Sequence, residues 1–244
     1  MSTIDTPTSD ARVLDNPAWA SLNGPHAGFA ERRGRIVRYP VDVSPFLAIP
    51  DDLGPADWRD LAALVGPGAL IPLAAGDVAV SDGWEVVARV DGVQLTGELV
   101  PEPAYGGAFP AAPGEDWGRL EAADVPEMLE LIERTRPGPF LPRTIELGTY
   151  IGVRREGALI AMAGERLRPP GWTEISAVCT DAAFRGRGLG ARLVLDAVAR
   201  IRARGEEPFL HAAAENTDAI RLYLALGFRL RRTAEFLVVR VPAL

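Results

Sequence analysis

The stretch "CTDAAFRGRGLGARL", residues 179–193, packs three glycines and two arginines into the six residues 185–190, then runs into an apolar helical pattern. Its order is strand, short loop, glycine turn, helix. A helix N-terminus leaves backbone N–H groups unpaired and carries partial positive charge. Glycines let a polyanion come close to that backbone, and Arg185 and Arg187 add charge. The turn is therefore a candidate seat for a phosphate or pyrophosphate. Taken alone the signal is weak, because Gly and Arg each make up about a tenth of the chain. A glycine-rich helix entry that binds nothing is the bland alternative.

Two other phosphate motifs compete for these residues. Gly186, Gly188 and Ala191 fit G-x-G-x-x-A, the dinucleotide fingerprint. That motif needs its strand to end at the first glycine and an acid at the end of the next strand. Here the loop "DAAF" intervenes, and Glu206 and Glu207 precede the next strand. The Walker pattern fails because the chain has no lysine.

A second motif lies downstream. "ENTDAIRLYLALGF", residues 215–228, reads as a helix capped by Asn216 and ended by Gly227. Its spacing is N-x-x-A-x-x-x-Y-x-x-x-G-F, on Asn216, Ala219, Tyr223, Gly227 and Phe228. With "TDAAFRGRGLGARL" before it, the pair resembles the GCN5-related N-acetyltransferase (GNAT) family, in particular its FR47-like branch. The first piece is similar to that family's pyrophosphate loop and the second to its closing helix. The resemblance covers residues 116–244. It departs from the family where Ala182 stands in place of the usual proline, a change not expected to affect binding. It implies an α/β (α+β) fold with a mixed central sheet flanked by helices, and acetyl-CoA or another acyl-CoA as donor.

Bulk composition fits such a chain. The 244 residues carry a net charge of −7, which argues against a general nucleic-acid binder. All 26 basic residues are arginine, so lysine Schiff-base chemistry is excluded. One cysteine allows no internal disulfide, and the polar start "MSTIDTPTSD" is not a signal peptide. No apolar run is long enough to span a membrane. With only two histidines and one cysteine no metal site is expected. The expectation is a cytoplasmic protein, monomer or homodimer, without nucleic-acid or membrane partners.

Residues 101–116, "PEPAYGGAFPAAPGED", read as an irregular connection. They divide a domain of residues 1–115 from one of residues 116–244. The first has 7 Arg against 16 acids, a balance of −9, and the second 19 Arg against 17, a balance of +2. The second half therefore suits an anionic ligand. The first half reads as a smaller α/β unit that shapes the acceptor site or is a degenerate copy of the same fold. It contains a helix opening at Asn16-Pro17, a helix over "PADWRDLAALVG", and a hairpin expected at Asp91-Gly92. His26 follows a turn-like "GP" and is expected to be structural or solvated.

Acyl transfer from a thioester to an amine has three demands. The amine must lose a proton, the oxyanion needs donors, and the thiolate needs a proton on leaving. The resemblance places a pantetheine arm along Val178, Cys179 and Thr180. It places the pyrophosphate on the amides of Arg185, Gly186, Arg187, Gly188, Leu189 and Gly190, and makes Asn216 both helix cap and pantetheine contact. Glu174 is the expected base. It lies six residues before Thr180, where the Gcn5-type histone acetyltransferases that this stretch resembles carry their glutamate base. Alternation along the strand predicts Glu174, Ser176, Val178 and Thr180 on one face. An ordinary strand glutamate is the competing reading, and Glu165 is the second candidate. Tyr223 is the acid the resemblance implies, against a half-buried aromatic packed on the sheet. His211 is read as a core or substrate-pocket residue, and Cys179 as a buried strand cysteine. Two functions stay open at this point. One is an N-acetyltransferase that moves acetyl from acetyl-CoA directly to a primary amine. The other is a non-catalytic acyl-CoA-binding regulatory module, which a Tyr223 turned away from the thiol pocket would favour.

Overall fold

The computed structural model describes residues 10–74, 79–102 and 111–243. The opening "MSTIDTPTS" and residues 103–110, the centre of the expected connection, lie outside the described residues. The first half contributes α1 (Pro17–Leu22), β1 (Glu31–Arg33), β2 (Ile36–Arg38), β3 (Leu47–Ala48), α2 (Pro55–Val65), β4 (Leu70–Ala74) and β5 (Glu85–Thr96). The second contributes β6 (Glu115–Arg119), α3 (Val125–Thr135), β7 (Tyr150–Arg155), β8 (Ala158–Glu165), β9 (Trp172–Thr180), α4 (Leu189–Ala203), β10 (Glu207–Ala213), α5 (Thr217–Ala225) and β11 (Arg229–Arg240).

Local chemistry sets many of these bounds. Asn16 caps α1, its Oδ1 accepting from the Trp19 N–H at 3.2 Å, with Pro17 at the first helical position. Asn216 caps α5 in the same way through Ala219 N at 3.2 Å. Glu156 and Gly157 both have positive φ, 53° and 83°, and turn β7 into β8. Gly205 at φ 75° follows the end of α4.

The fold is α/β, with a large mixed sheet flanked by helices. Eight strands run in the order β4-β11-β5-β10-β9-β8-β7-β6, and β9 with β10 is the parallel pair. A separate antiparallel sheet holds β1, β2 and β3. α3 covers one face, where Met128 and Leu131 pack with Ala177 and Cys179. α4 covers the other, where Leu189 and Leu193 pack with Ile151, Val153 and Ala163. Strands from both sides of residue 115 share the large sheet, since β5 lies between β10 and β11. The small N-terminal layer also packs on it, with Ile36, Trp58 and Leu61 against Leu237 and Val239 of β11.

The hairpin expected at Asp91-Gly92 is not there. β5 runs unbroken through both residues, which pair with Glu235 and Ala234 of β11. A side chain at Gly92 would come within 3.1 Å of the Phe236 ring and 3.2 Å of the Ala212 carbonyl. This glycine serves close packing between neighbouring strands, not a turn.

His26 is buried, with Nδ1 2.9 Å from the Tyr39 hydroxyl and its ring set edge-on to Phe29 and Tyr39. Burial, with Arg168 nearby, pushes its pKa down to about 4. The unfolded chain takes up this proton below about pH 6.5, while the folded chain resists it until about pH 4. His26 therefore removes stability as pH falls through that window, on the order of 3 kcal/mol in full. Urea unfolding at pH 7 and pH 5 should show this loss in the native chain and a flatter dependence in His26→Gln. Equal pH slopes in the two would assign the loss to other groups.

Candidate active site

β9 and β10 pair over only three positions, Glu207 with Trp172, Pro208 with Thr173 and Phe209 with Glu174. Beyond Glu174 they part. The cause lies on the other edge of β9. Against β8, Cys179 pairs with Met162 and Ser176 with Gly164, so β9 carries one extra residue. That residue is accommodated at Ala177, which has φ 52°. Such a bulge bends the strand and raises its twist.

The bulge also overturns the expected alternation. Ile175 packs with α4 residues Val194 and Val198, Ala177 and Cys179 pack on the α3 side, and Val178 returns to the α4 side. Glu174, next to Ile175, faces away from α4, so Glu174 and Val178 lie on opposite faces. Simple period-two counting fails because one extra residue exchanges the faces of everything beyond it.

A cleft of about 530 Å³ opens where the strands part. Ile175, Ser176, Ala177 and Val178 line one wall, and His211, Ala212 and Ala213 the other. Asn216, Ala219 and Tyr223 of the α5 region line it as well. The loop Arg136–Pro139, Arg166, Glu215 and Phe236 also line it, as do Phe46, Pro72, Val90 and Asp91 from the first half. From Ile175 onward no strand among the described residues pairs with the cleft-side edge of β9. The backbone of Val178, Cys179 and Thr180 is tied on its β8 side and open on the other. Cys179 itself is buried, and burial pushes its thiol up to about 11.

The glycine turn stands at the start of α4. Gly186 and Gly188 adopt φ 76° and 75°, and a Cβ at either would meet nothing within 4 Å. They are there for the left-handed backbone, and the surrounding space stays open. No side chain caps α4 at Gly188, so its first amides keep their hydrogen-bonding capacity. Arg185 Nε donates to the Thr180 carbonyl at 3.3 Å, and Arg187 lies 5.1 Å from the Phe184 ring centre.

The two candidate bases sit differently from expectation. Glu174 is wholly buried and receives Arg166 through both Nε (2.9 Å) and Nη2 (2.7 Å). The Leu167 N–H adds a contact at 3.3 Å and His211 Nδ1 one at 2.7 Å. Burial opposes ionisation, but Arg166 and His211 outweigh it and hold the carboxyl far below the usual range. Glu165 is buried too, paired with Arg204 at 2.9 Å and accepting from the Thr149 N–H at 3.2 Å. Neither carboxylate lines the cleft that Tyr223 lines.

Glu174 belongs to a polar row that crosses four strands. Arg231 on β11 donates through Nη1 to Gln94 Oε1 at 2.9 Å. Arginine can only donate, so this fixes the Gln94 amide, with its nitrogen turned the other way. That nitrogen donates to the Leu14 carbonyl at 2.9 Å and lies 3.0 Å from His211 Nε2. His211 Nε2 must therefore accept, and the ring proton sits on Nδ1, pointed at Glu174. Gln94 and Arg166 were not singled out from the sequence. The only signal for Gln94 was a lone amide between Val93 and Leu95 in an apolar strand.

Tyr223 is buried at the cleft wall, and burial, with Cys179 beside it, pushes its phenol up to about 12. It stays protonated at neutral pH. Among the described residues no hydrogen bond to its hydroxyl is found, and no group of three or more His, Cys, Asp or Glu is arranged for a metal. No helix among them is long and apolar enough to cross a membrane.

Comparison with known proteins agrees with the fold. The FR47-like protein family matches residues 150–237. The N-alpha-acetyltransferase RimI of Mycobacterium tuberculosis is 32% identical over 135 residues, covering 52% of this chain and 80% of that protein. A GNAT-family protein from Novosphingobium aromaticivorans is 38% identical with a TM-score of 0.80, across 93% of this chain and 97% of its own. The GCN5-related N-acetyltransferase of Kribbella flavida, 21% identical, shares the fold at a TM-score of 0.60, across 96% of this chain and 95% of its own.

Removing the charge of Glu174 leaves the largely buried Arg166 without its counter-ion. Glu174→Gln should therefore cost about 3 kcal/mol of folding stability, read from urea unfolding at pH 7. A loss below about 1 kcal/mol would mean that water or another anion replaces the carboxylate.

Proposed function

The chain belongs to the GCN5-related N-acetyltransferase family, and on that premise we propose that it moves an acetyl group from acetyl-CoA directly to a primary amine. It is an acyltransferase. The observation that carries the finer reading is that one cleft joins the open edge of β9 to Tyr223, with the glycine turn following β9 in the chain.

The diphosphate would rest on the amides of residues 185–190, where two left-handed glycines keep side chains out of the way. The pantetheine arm would pair with the unpartnered edge at Val178, Cys179 and Thr180, and Asn216 would contact it from the cap of α5. Tyr223, protonated and at the cleft wall, would return a proton to the leaving sulfur. Glu174 supplies the negative charge behind proton removal from the amine. Residues 116–244 hold the donor machinery. Residues 1–115 shape the acceptor end, since Phe46, Pro72 and Val90 line the cleft.

A screen of thiol release from acetyl-CoA tests this reading. The panel should include a peptide α-amine, a free amino acid, a polyamine and an aminoglycoside. Release that requires both acetyl-CoA and an amine is expected, and silence across the panel would count against transfer to amines.

The phosphate seat has its own test. Asn and Asp both tolerate left-handed backbone but differ by one charge. Gly188→Asp should bind acetyl-CoA at least tenfold more weakly than Gly188→Asn, about 1.4 kcal/mol by calorimetry. Equal affinities would place the diphosphate elsewhere.

Tyr223→Phe should lower kcat by ~10²-fold while acetyl-CoA affinity holds. Unchanged turnover would leave Tyr223 as packing against Phe228, whose ring centre is 6.0 Å away.

A further inference from the structure

We infer that His211 Nε2, rather than either glutamate, is the atom that takes the proton from the acceptor amine; this rests on the transferase reading above. Three observations carry it. Of the polar row, only His211 and Arg166 reach the cleft that Tyr223 lines, and Arg166 has no basic lone pair to offer. The Gln94 amide fixes Nε2 as the ring's acceptor nitrogen. Glu174 holds Nδ1–H at 2.7 Å and is fully buried, so it can stabilise an imidazolium but cannot itself meet an amine in the cleft. The carboxylate, imidazole and reacting group thus have the order of a catalytic relay, with Glu174 and Gln94 as positioning residues.

The proton count closes. The ammonium of the acceptor gives one proton to Nε2, displacing the Gln94 N–H, and the freed lone pair attacks the thioester carbonyl carbon. The C–S bond breaks, and the sulfur leaves with its electron pair and takes the proton of the Tyr223 hydroxyl. The second proton of the new amide nitrogen restores Tyr223, and the imidazolium releases its proton to solvent. The products are the N-acetylated amine, free thiol and one proton.

The test uses the full chain and whichever amine of the panel turns over best. His211→Ala should lower kcat by ~10²-fold or more, leave acetyl-CoA affinity within about twofold by calorimetry, and regain part of its rate when free imidazole is added. His211→Ala combined with Glu174→Gln should be about as slow as His211→Ala alone, because Glu174 then has no ring to act through. Nitrogen-15 spectra of the native chain, with His26 identified by comparison with His26→Gln, should show the His211 ring proton on Nδ1 and Nε2 as the accepting nitrogen. Full turnover in His211→Ala, losses that simply multiply in the double variant, or a ring protonated at Nε2 at rest would each overturn the assignment. A native chain silent toward every amine would overturn the transferase reading and His211's role with it. An active native chain with an equally active His211→Ala would overturn only the latter.

Discussion

The extra residue in β9 is the constraint on which the site depends. A sheet gains most by pairing every strand edge, since unpaired backbone groups in a protein interior are costly. Here β9 and β10 stop pairing after Phe209 and Glu174, and β9 is bent at Ala177. An alanine in left-handed conformation costs roughly 1 kcal/mol relative to ordinary strand geometry. The packing of Ala177 and Cys179 under α3 holds it there. The same distortion creates an open backbone edge, a cleft between strands, and a change of face for Val178. A regular β9 would close the cleft against β10 and turn Val178 toward α3.

The polar row is the second consequence of placing chemistry inside a sheet. Burying a carboxylate is expensive unless its charge and lone pairs are met. Glu174 is met from three sides, by Arg166, the Leu167 N–H and His211. The far end of the row is anchored by Arg231, which also reaches the Ala11 carbonyl at 2.9 Å and Asp15 at 2.6 Å. Each member fixes the orientation of the next. A histidine ring has two ways to hold its proton, and this arrangement leaves it only one. Rigidity of this kind favours a site that must meet its reactant in a set geometry.

Much of this was legible in the sequence, and the limits have physical reasons. The glycine turn, the Asn216 cap, the Glu156-Gly157 hairpin and the apolar stripe of α4 are local signals, set by residues a few positions apart. The Asp91-Gly92 pair carried the same hairpin signature and was misread, because its glycine answers to Phe236 and Ala212, which are remote in sequence. The faces of β9 were misread for a related reason. Alternation is a reliable count only while a strand is regular, and nothing in "TEISAVCT" marks the bulge. Tyr223 and Asn216 were placed by a helix motif whose geometry is internal. The environment of Glu174 was not accessible, because its partners Arg166, His211 and Leu167 are brought together by tertiary pairing.

The N-terminal half, finally, is more than an appendage to the sheet. Its segment Ala11–Asp15 lies across the polar row, so that the Leu14 carbonyl takes one Gln94 hydrogen while the other faces His211. Without that carbonyl the amide would carry a spare buried donor, and its hold on the ring would slacken. β5 supplies Gln94 itself and occupies the place between β10 and β11. β5, with the residue that sets the histidine tautomer, thus comes from one half of the chain, and the glycine turn and Tyr223 from the other. The charge asymmetry of −9 against +2 follows the same line. An anionic donor would suit the basic half, and an acceptor arriving as a cation the acidic one.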